Sequence, residues 1–332
     1  MKKLINDPFD VVEEMTEGYC AAHDDLVKRV GRRAIARRDA PIAGKVGVVI
    51  GGGSGHLPIY LGYVGPGGAD AAAIGNIFAS PPARPILQAT LAVNGGAGVL
   101  YIYGNYAGDV MNFDRAAAQA AAQGIRVETV RGTDDVAAAP PTEAGRRRGI
   151  AGAFFIVKIA AAKAETRADL DAVFATARKV NANTRTMGVA LSACTVPAYG
   201  RPTFELGPDE MEIGLGLHGE PGKRRARIEP ADKIVDEIVE SILADIDYQG
   251  SDVAVLVNGL GATPLEELYV LYRRVWQILG ARHIRIRQRY IGEFATSMDM
   301  AGASISLLRL DTEMHGLLAL PTNCPLFKQS SS

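Results

Sequence analysis

The sequence predicts a two-domain α/β protein, and three observations carry that expectation. Short apolar runs at 45–50, 98–103 and 253–257 each close on glycine-bearing turns. Helical stretches alternate with them, alanine-rich at 110–123 and amphipathic at 230–246. The chain has 332 residues, and at roughly 100–200 residues per domain that is two domains. Strand, loop, helix and strand in turn is the rhythm of a sheet covered by helices.

In chain order, 7–38 reads as helical. Pro8 suits a first helical position, and Val11, Val12, Met15 and Tyr19 recur at helical spacing. The run 45–50 is a strand that opens into Gly51-Gly52-Gly53-Ser54-Gly55-His56, and 98–103 is a strand that opens into Gly104-Asn105-Tyr106-Ala107-Gly108-Asp109. Helix 110–123 and strand 125–130 follow. Residues 131–149 read as a long loop, with the basic run Arg146-Arg147-Arg148 solvated. Two helices, 151–164 and 170–181, lead to a strand at 188–193. The boundary is placed there, giving domains 1–185 and 186–332. In the second domain Ile213, Leu215 and Leu217 alternate with Glu212, Gly214 and Gly216, the period of a strand with one buried face. That strand is expected to end on His218, in a turn of Gly219, Pro221 and Gly222. Helix 230–246, strand 253–257, helix 265–279 with Trp276 in the core, and strands 284–290 and 303–310 complete the chain. Asn258-Gly259 reads as a structural turn, and the serines at 330–332 as a frayed tail.

Composition narrows the function. Thirty-six lysines and arginines against 37 aspartates and glutamates leave a net charge of −1, so no global field draws the chain to nucleic acid or membrane. Cys20, Cys194 and Cys324 are odd in number and far apart, without a Cys-x-x-Cys pair; a reducing cytoplasm fits. No signal peptide or 18-residue apolar run is visible. The histidines His23, His56, His218, His283 and His315 show no three- or four-residue spacing, which disfavours a metal site.

The glycine segments are where chemistry is expected. Counting from Gly51, the sixth position of a dinucleotide fingerprint is His56, and no Gly-Lys-Ser/Thr follows, so both nucleotide patterns fail. The segment can still bring backbone to a small oxygen-rich ligand, or be a tight turn and no more. Asp109 can serve as a general base or simply cap helix 110–123. Glu293 and Asp299 are weaker candidates. His218, at a strand end among glycines, is the candidate for covalent chemistry; alone, such a histidine is more often a turn hydrogen-bonder.

Taken together, Gly-Gly-Gly-Ser-Gly-His at 51–56, Asn-Tyr-Ala-Gly-Asp-Val-Met-Asn-Phe at 105–113, Cys-Thr-Val-Pro at 194–197, Gly-Leu-His-Gly-Glu-Pro-Gly at 216–222 and the segment from Glu293 to Leu308 resemble the K subunit of dihydroxyacetone kinases over nearly the whole chain. The resemblance implies a two-domain DhaK-like fold, each domain a mixed sheet flanked by helices, and a homodimer. It implies a ketose held as a hemiaminal on His218, with Asp109 and His56 beside it as the other catalytic residues and Gly53, Ser54, Gly55 and Gly104 lining the substrate. It implies no cofactor on this chain: ATP, or an ADP rephosphorylated by a phosphotransferase-system M subunit, belongs with Mg²⁺ to a separate helical L subunit. The chain's end at Ser332 without such a domain points to the separate-subunit kind. Three departures stand out. Gly104 replaces the family's lysine and Ala107 its threonine, Leu57 replaces a glutamate after His56, and 75–81 reads Gly-Asn-Ile-Phe-Ala-Ser-Pro where Gly-Glu-Val-Phe-Thr-Ser-Pro is usual. Space gained and a donor lost at Gly104 lead to the expectation of a longer ketose, erythrulose or a branched pentulose. The alternative within the family is a ketose-sensing co-regulator without phosphoryl transfer.

Overall fold

Two six-stranded mixed sheets, each flanked by helices, organise the chain in a computed structural model that describes residues 2–330. The last two serines of the expected frayed tail lie outside the described residues. The chain forms two compact units, but no single cut near 185 separates them. One unit takes residues 2–132, 155–180 and those from 316 onward; the other takes 133–154 and 181–315.

The first unit opens with α1, Val11–Ala22, whose buried side is Val12, Thr16 and Tyr19. The helix expected over 7–38 stops there. Beyond the turn at Asp24-Asp25 the chain becomes a hairpin, β1 (Val27–Gly31) and β2 (Ala34–Arg37). Val27, Val30 and Ile35 mimic helical spacing, but their β-branched side chains fit a pleated sheet better. β3 (Gly47–Ser54), β4 (Ala71–Ile77), β5 (Val99–Gly104) and β6 (Val127–Gly132) follow, with α2 (Ala83–Val93) and α3 (Ala107–Ala121) as crossovers. The sheet order is β1-β2-β4-β3-β5-β6; β4, β3, β5 and β6 run parallel, and β1–β2 and β2–β4 are antiparallel. β3 and β5 are buried on both faces, which is why they read as continuous apolar runs. Ala73, Ile86, Tyr101 and Phe113 belong to the core under α2 and α3. At the start of β3, Asp70 gathers buried charge: its Oδ2 accepts from Lys45 Nζ (2.6 Å) and Val48 N–H (2.8 Å), its Oδ1 from Arg37 (3.1 Å).

The chain changes unit inside α4 (Ala153–Glu165) and α5 (Leu170–Asn183). The second unit contains β7 (Thr184–Ala190), β8 (Glu210–Ile213), β9 (Arg224–Arg227), α6 (Ala231–Leu243), β10 (Asp252–Gly259), α7 (Leu265–Ala281), β11 (Arg285–Gly292) and β12 (Gly302–Leu310). Its order is β11-β10-β12-β7-β8-β9, and only β10–β11 is parallel. Val235, Ile238 and Ile242 of α6 share a core with Val255 and Leu307. Helix α8 (Thr312–Leu318) leads back to the first unit, where β13 (Thr322–Cys324) and β14 (Phe327–Gln329) form a ribbon.

Three expectations change here. Arg147 and Arg148 are not solvated: Arg147 is fully buried and grips Asp245 with both terminal nitrogens (2.9 and 2.6 Å), and Arg148 pairs with Asp135 (2.9 Å). Trp276 is 59% exposed, because it stands on a flank of α7 away from the buried Leu268, Val275 and Leu279. Asn258 is no turn residue but a buried strand end, accepting from Phe294 N–H (2.8 Å) and Ala295 N–H (2.9 Å). Among the described residues no helix is long and apolar enough to cross a membrane.

Candidate functional site

β3 and β5 are parallel neighbours, so their carboxyl ends open on one edge of the first sheet. Open α/β sheets keep ligands at that edge. His56 follows β3 there, and Asp109 follows β5.

Gly51, Gly52 and Gly53, expected in a loop, lie within β3 itself. A Cβ on Gly51 would stand 2.3 Å from the Ala73 carbonyl oxygen, on Gly52 2.3 Å from the Tyr60 hydroxyl, and on Gly53 2.7 Å from the Ala79 nitrogen. Glycine lets those groups approach. Because Gly51 and Gly52 are laddered to Ala73 and Ile74, they offer no open row of N–H groups to a phosphate. The bend comes at Gly55, at a φ of 97°.

Beside this bend, the buried Ser54 hydroxyl donates to the Gly75 carbonyl (2.7 Å). His56 is 3% exposed, and its ring stacks on Phe78 at 4.9 Å and 16°. Phe78 holds a φ of 57° while its N–H donates to the Ser54 carbonyl (3.0 Å). A bulky residue in that region is strained, a mark more common at functional sites than elsewhere. The 75–81 segment therefore walls the turn that carries His56.

Asp109 is the third residue of α3, not its cap. The helix begins three residues before the expected start, and Tyr106 holds the N-cap position. Asp109 is 6% exposed in a first turn whose dipole favours a carboxylate. Burial, and after it the Asp109 charge, push the Tyr60 phenol far above its ordinary pKa, and the Tyr60 hydroxyl packs against Gly52. Gly104 ends β5, buried and paired with Gly132.

His218 belongs to the other unit. The expected strand stops five residues short of it, at Ile213, because Gly214 takes a φ of 81°. Leu215 and Leu217 remain buried, so the alternation that looked like a strand belongs to a folded-back turn. Gly216 N–H donates to the Glu220 carbonyl (3.0 Å), and Gly219, at a φ of 90°, donates back to Gly216 (3.1 Å). Within this turn His218 N–H donates to Glu220 Oε2 (3.0 Å), and His218 Nδ1 lies 3.0 Å from Glu220 Oε1. Burial disfavours the Glu220 carboxylate, but the His218 ring and the turn's N–H groups outweigh it and hold its pKa at about 2. An ionised carboxylate only accepts, so Nδ1 carries a proton, and the lone pair of a neutral ring sits on Nε2.

Two anchors hold the turn. Ser297 donates to the Leu217 carbonyl, and Arg148 donates to the Gly214 carbonyl (3.1 Å) while Asp135 grips it from behind. Burial, opposed by Arg148, raises Asp135 to about pKa 6. Thus His56 and Asp109 follow neighbouring strands of one unit, with Gly53, Ser54, Gly55 and Gly104 at the ends of the same two strands, and His218 belongs to the other unit. Sequence reasoning missed Tyr60, Phe78, Glu220 and Arg148. Only Glu220, two residues after His218, had a readable signal. Among the described residues no group of three histidine, cysteine, aspartate or glutamate side chains could hold a metal ion, and Glu293 and Asp299 gather no such cluster.

Comparison with known proteins follows the same residues. The Dak1 domain profile matches residues 17–326. The dihydroxyacetone-binding subunit of PTS-dependent dihydroxyacetone kinase 2 of Listeria innocua is 49% identical over 99% of both chains. L-erythrulose kinase of Pectobacterium atrosepticum is 41% identical over all of this chain and 57% of its own. Among solved structures, the dihydroxyacetone kinase operon co-activator Dha-DhaQ superposes with a TM-score of 0.90 at 31% identity, over 96% of this chain and 98% of its own.

Proposed function

Because the chain belongs to the Dak1 domain family, we propose that it is the ketose-binding subunit of a dihydroxyacetone-type kinase, a phosphotransferase acting on an alcohol. The observation that carries this is the contact of His218 Nδ1 with Glu220 Oε1 (3.0 Å), which favours the tautomer with its lone pair on Nε2. Nε2 adds its lone pair to the ketone carbon, and the carbonyl π pair moves to oxygen. The ring becomes cationic as the bond forms, and Glu220 stabilises that charge. Transfer of a proton from the ring to the alkoxide leaves a neutral hemiaminal. A polyol has no carbonyl to add to, so the bond itself separates ketoses from polyols of equal size.

With the sugar fixed, its terminal hydroxyl faces a base. Asp109 takes that proton as the oxygen attacks the phosphoryl group, and His56 orients the sugar and assists the transfer. Positioning and proton removal are what phosphoryl transfer needs from this side. The donor, ATP or a rephosphorylated ADP with Mg²⁺, resides on an L-type partner subunit, with an M subunit supplying phosphate in the second case. The chain works as a homodimer. Gly104, in place of the family's lysine, supports a ketose longer than dihydroxyacetone, and the likeness to an L-erythrulose kinase supports the same reading.

Carbon NMR with carbonyl-labelled dihydroxyacetone and erythrulose tests the capture step. We expect a bound tetrahedral-carbon signal in the wild type, stronger with erythrulose, and none in His218→Ala. No signal with either sugar in the wild type removes covalent capture of these two ketoses. The co-activator likeness favours a second reading, a sensor that binds ketose and transfers nothing. Assay with an L partner separates them: Asp109→Asn should keep the bound-carbon signal and lose about 10²–10⁴-fold in turnover. A wild type that binds ketose and shows no turnover with any L partner is the sensor.

A further inference from the structure

Two acids stand in tandem just after β6, and both hold the segment that carries Arg148. Asp134 is fully buried, and its carboxylate accepts from the Ile150 N–H (3.0 Å) and the Gly152 N–H (2.9 Å). Asp135 N–H donates to the Arg148 carbonyl (3.2 Å), and Asp135 Oδ2 accepts from Arg148 Nε (2.9 Å) and lies 2.8 Å from Nη2. The Asp135 side chain is 1% exposed and that of Arg148 14%. A buried ion pair gives little net stability for its desolvation cost, so this one asks for another reason.

The far end of Arg148 reaches the His218 turn. Nη2 donates to the Gly214 carbonyl (3.1 Å), where the chain leaves β8. Nη1 flanks the space that a side chain on Gly216 would take: a Cβ there would stand 2.7 Å from Nη1 and 2.2 Å from Glu220 Oε2. Glu220 is the carboxylate that contacts the His218 ring. Asp135 acts on the same turn by a second route. Its Oδ1 accepts from the Ala137 N–H (2.9 Å), and a Cβ on Gly214 would stand 2.6 Å from the Ala137 Cβ. From the ring inward the ionisable side chains run His218, Glu220, Arg148, Asp135. A lysine lacks the planar fork that meets Asp135, the Gly214 carbonyl and the Gly216 space together.

We propose that Asp135 and Arg148 are positioning residues for ketose capture, their ion pair setting the turn that aims His218. The proposal rests on the reading of His218 as the capturing residue and adds what aims it. The pair needs an ionised Asp135. Burial, opposed by Arg148 and the Ala137 N–H and joined by the Asp134 charge, raises that carboxyl to about pKa 6. β7 meets Asp135 at the neutral Thr186, Lys223 adjoins Gly214, and Glu220 and His218 lie beyond Arg148. Capture should therefore weaken as pH falls through about 6. Folding responds with the opposite sign. The carboxyl rises from 3.8 to about 6 on folding, so its proton uptake favours the folded chain as pH falls through that window.

Titration with carbonyl-labelled dihydroxyacetone and erythrulose, read by the bound tetrahedral-carbon signal, tests the pair in wild type, Asp135→Asn and Arg148→Lys. Far-UV circular dichroism and thermal melting are the folding controls. Well above the Asp135 titration each variant should raise the ketose dissociation constant roughly tenfold or more. The double variant should do no worse than the weaker single one, because both remove the same contact. The pH profile separates aiming from plain support. Acid also protonates the attacking ring, but in wild type and variant alike, so the ratio of their dissociation constants isolates Asp135. For Asp135→Asn that ratio is expected to be large above pH about 6 and to fall toward one below it, while the melting gap moves in favour of the wild type. Variants that capture with the wild-type constant overturn the positioning role and leave capture standing. An Asp135→Asn protein weakened by a factor that does not change with pH shows a structural role and overturns it too. A wild type without a tetrahedral-carbon signal overturns capture and positioning together. Arg148→Lys keeps a cation beside Asp135 and carries the comparison of constants if Asp135→Asn fails to fold.

Discussion

Glu220 accepts from His218 twice, once from its backbone and once from its ring. Glu220→Gln keeps the shape and an acceptor but loses the charge that opposes the cation formed on addition. Charged hydrogen bonds contribute about 1.5–3 kcal/mol, so ketose capture should weaken roughly ten- to a hundredfold; titration of the bound-carbon NMR signal reads this directly. The same pair carries a pH signature. Glu220 falls from 4.5 to about 2 on folding, so its stabilisation is complete above the unfolded pKa and is lost as pH falls from about 4.5 toward 2. The melting-temperature gap between wild type and Glu220→Gln should be flat above that window and close within it. A gap that widens in acid contradicts the pairing. Selectivity also belongs to this scale. Gly104→Lys restores a long cationic donor at the end of β5, and the ratio of kcat/KM for dihydroxyacetone over erythrulose should rise; an unchanged ratio means that another residue sets sugar length.

Among the elements, β3 is the most tightly specified. Gly52→Ala drives a methyl against the Tyr60 hydroxyl. The expected cost is about 1–3 kcal/mol in urea unfolding, as for other overpacked sites. Asp70→Ala should cost more, about 3–5 kcal/mol, because it leaves Lys45, 2% exposed, without its closest carboxylate. What could be read without coordinates follows the strength of the local pattern. β5, β10, α3, α6 and α7 were legible because each repeats its period over several residues or is apolar throughout. β4 and α2 went unseen: Ala71-Ala72-Ala73 has no strand preference of its own, and it is a strand because Gly51 on β3 leaves room for its backbone. β1 and β2 read as helix in the sequence because their apolar spacing imitates one. The placement of His56 and Asp109 was legible because both follow buried parallel strands. The turn at His218 was not, since its geometry depends on positive φ at Gly214 and Gly219 and on anchors from Arg148 and Ser297, remote in sequence. Tyr60 gave no signal because its role comes from filling the side-chain space left at Gly52.

At the scale of the whole molecule, each unit is assembled from separated lengths of chain. The ribbon β13–β14 belongs to the first unit, where Asn323 N–H donates to the Pro66 carbonyl (2.8 Å), Leu326 N–H to the Gly62 carbonyl (3.2 Å) and Lys158 Nζ to the Leu320 carbonyl (2.8 Å). A chain stopped after Leu318 should therefore lose hydrogen-exchange protection near 62–68, some 250 positions earlier in sequence; protection unchanged there would show the ribbon to be dispensable. A ribosome making this protein reaches the ribbon only after the second unit. The first unit, begun by residues before 133, waits unfinished while the entire second unit is translated. Its unsealed segment at 62–68 is then a natural place for a chaperone to hold, and the arrival of the ribbon decides when it lets go.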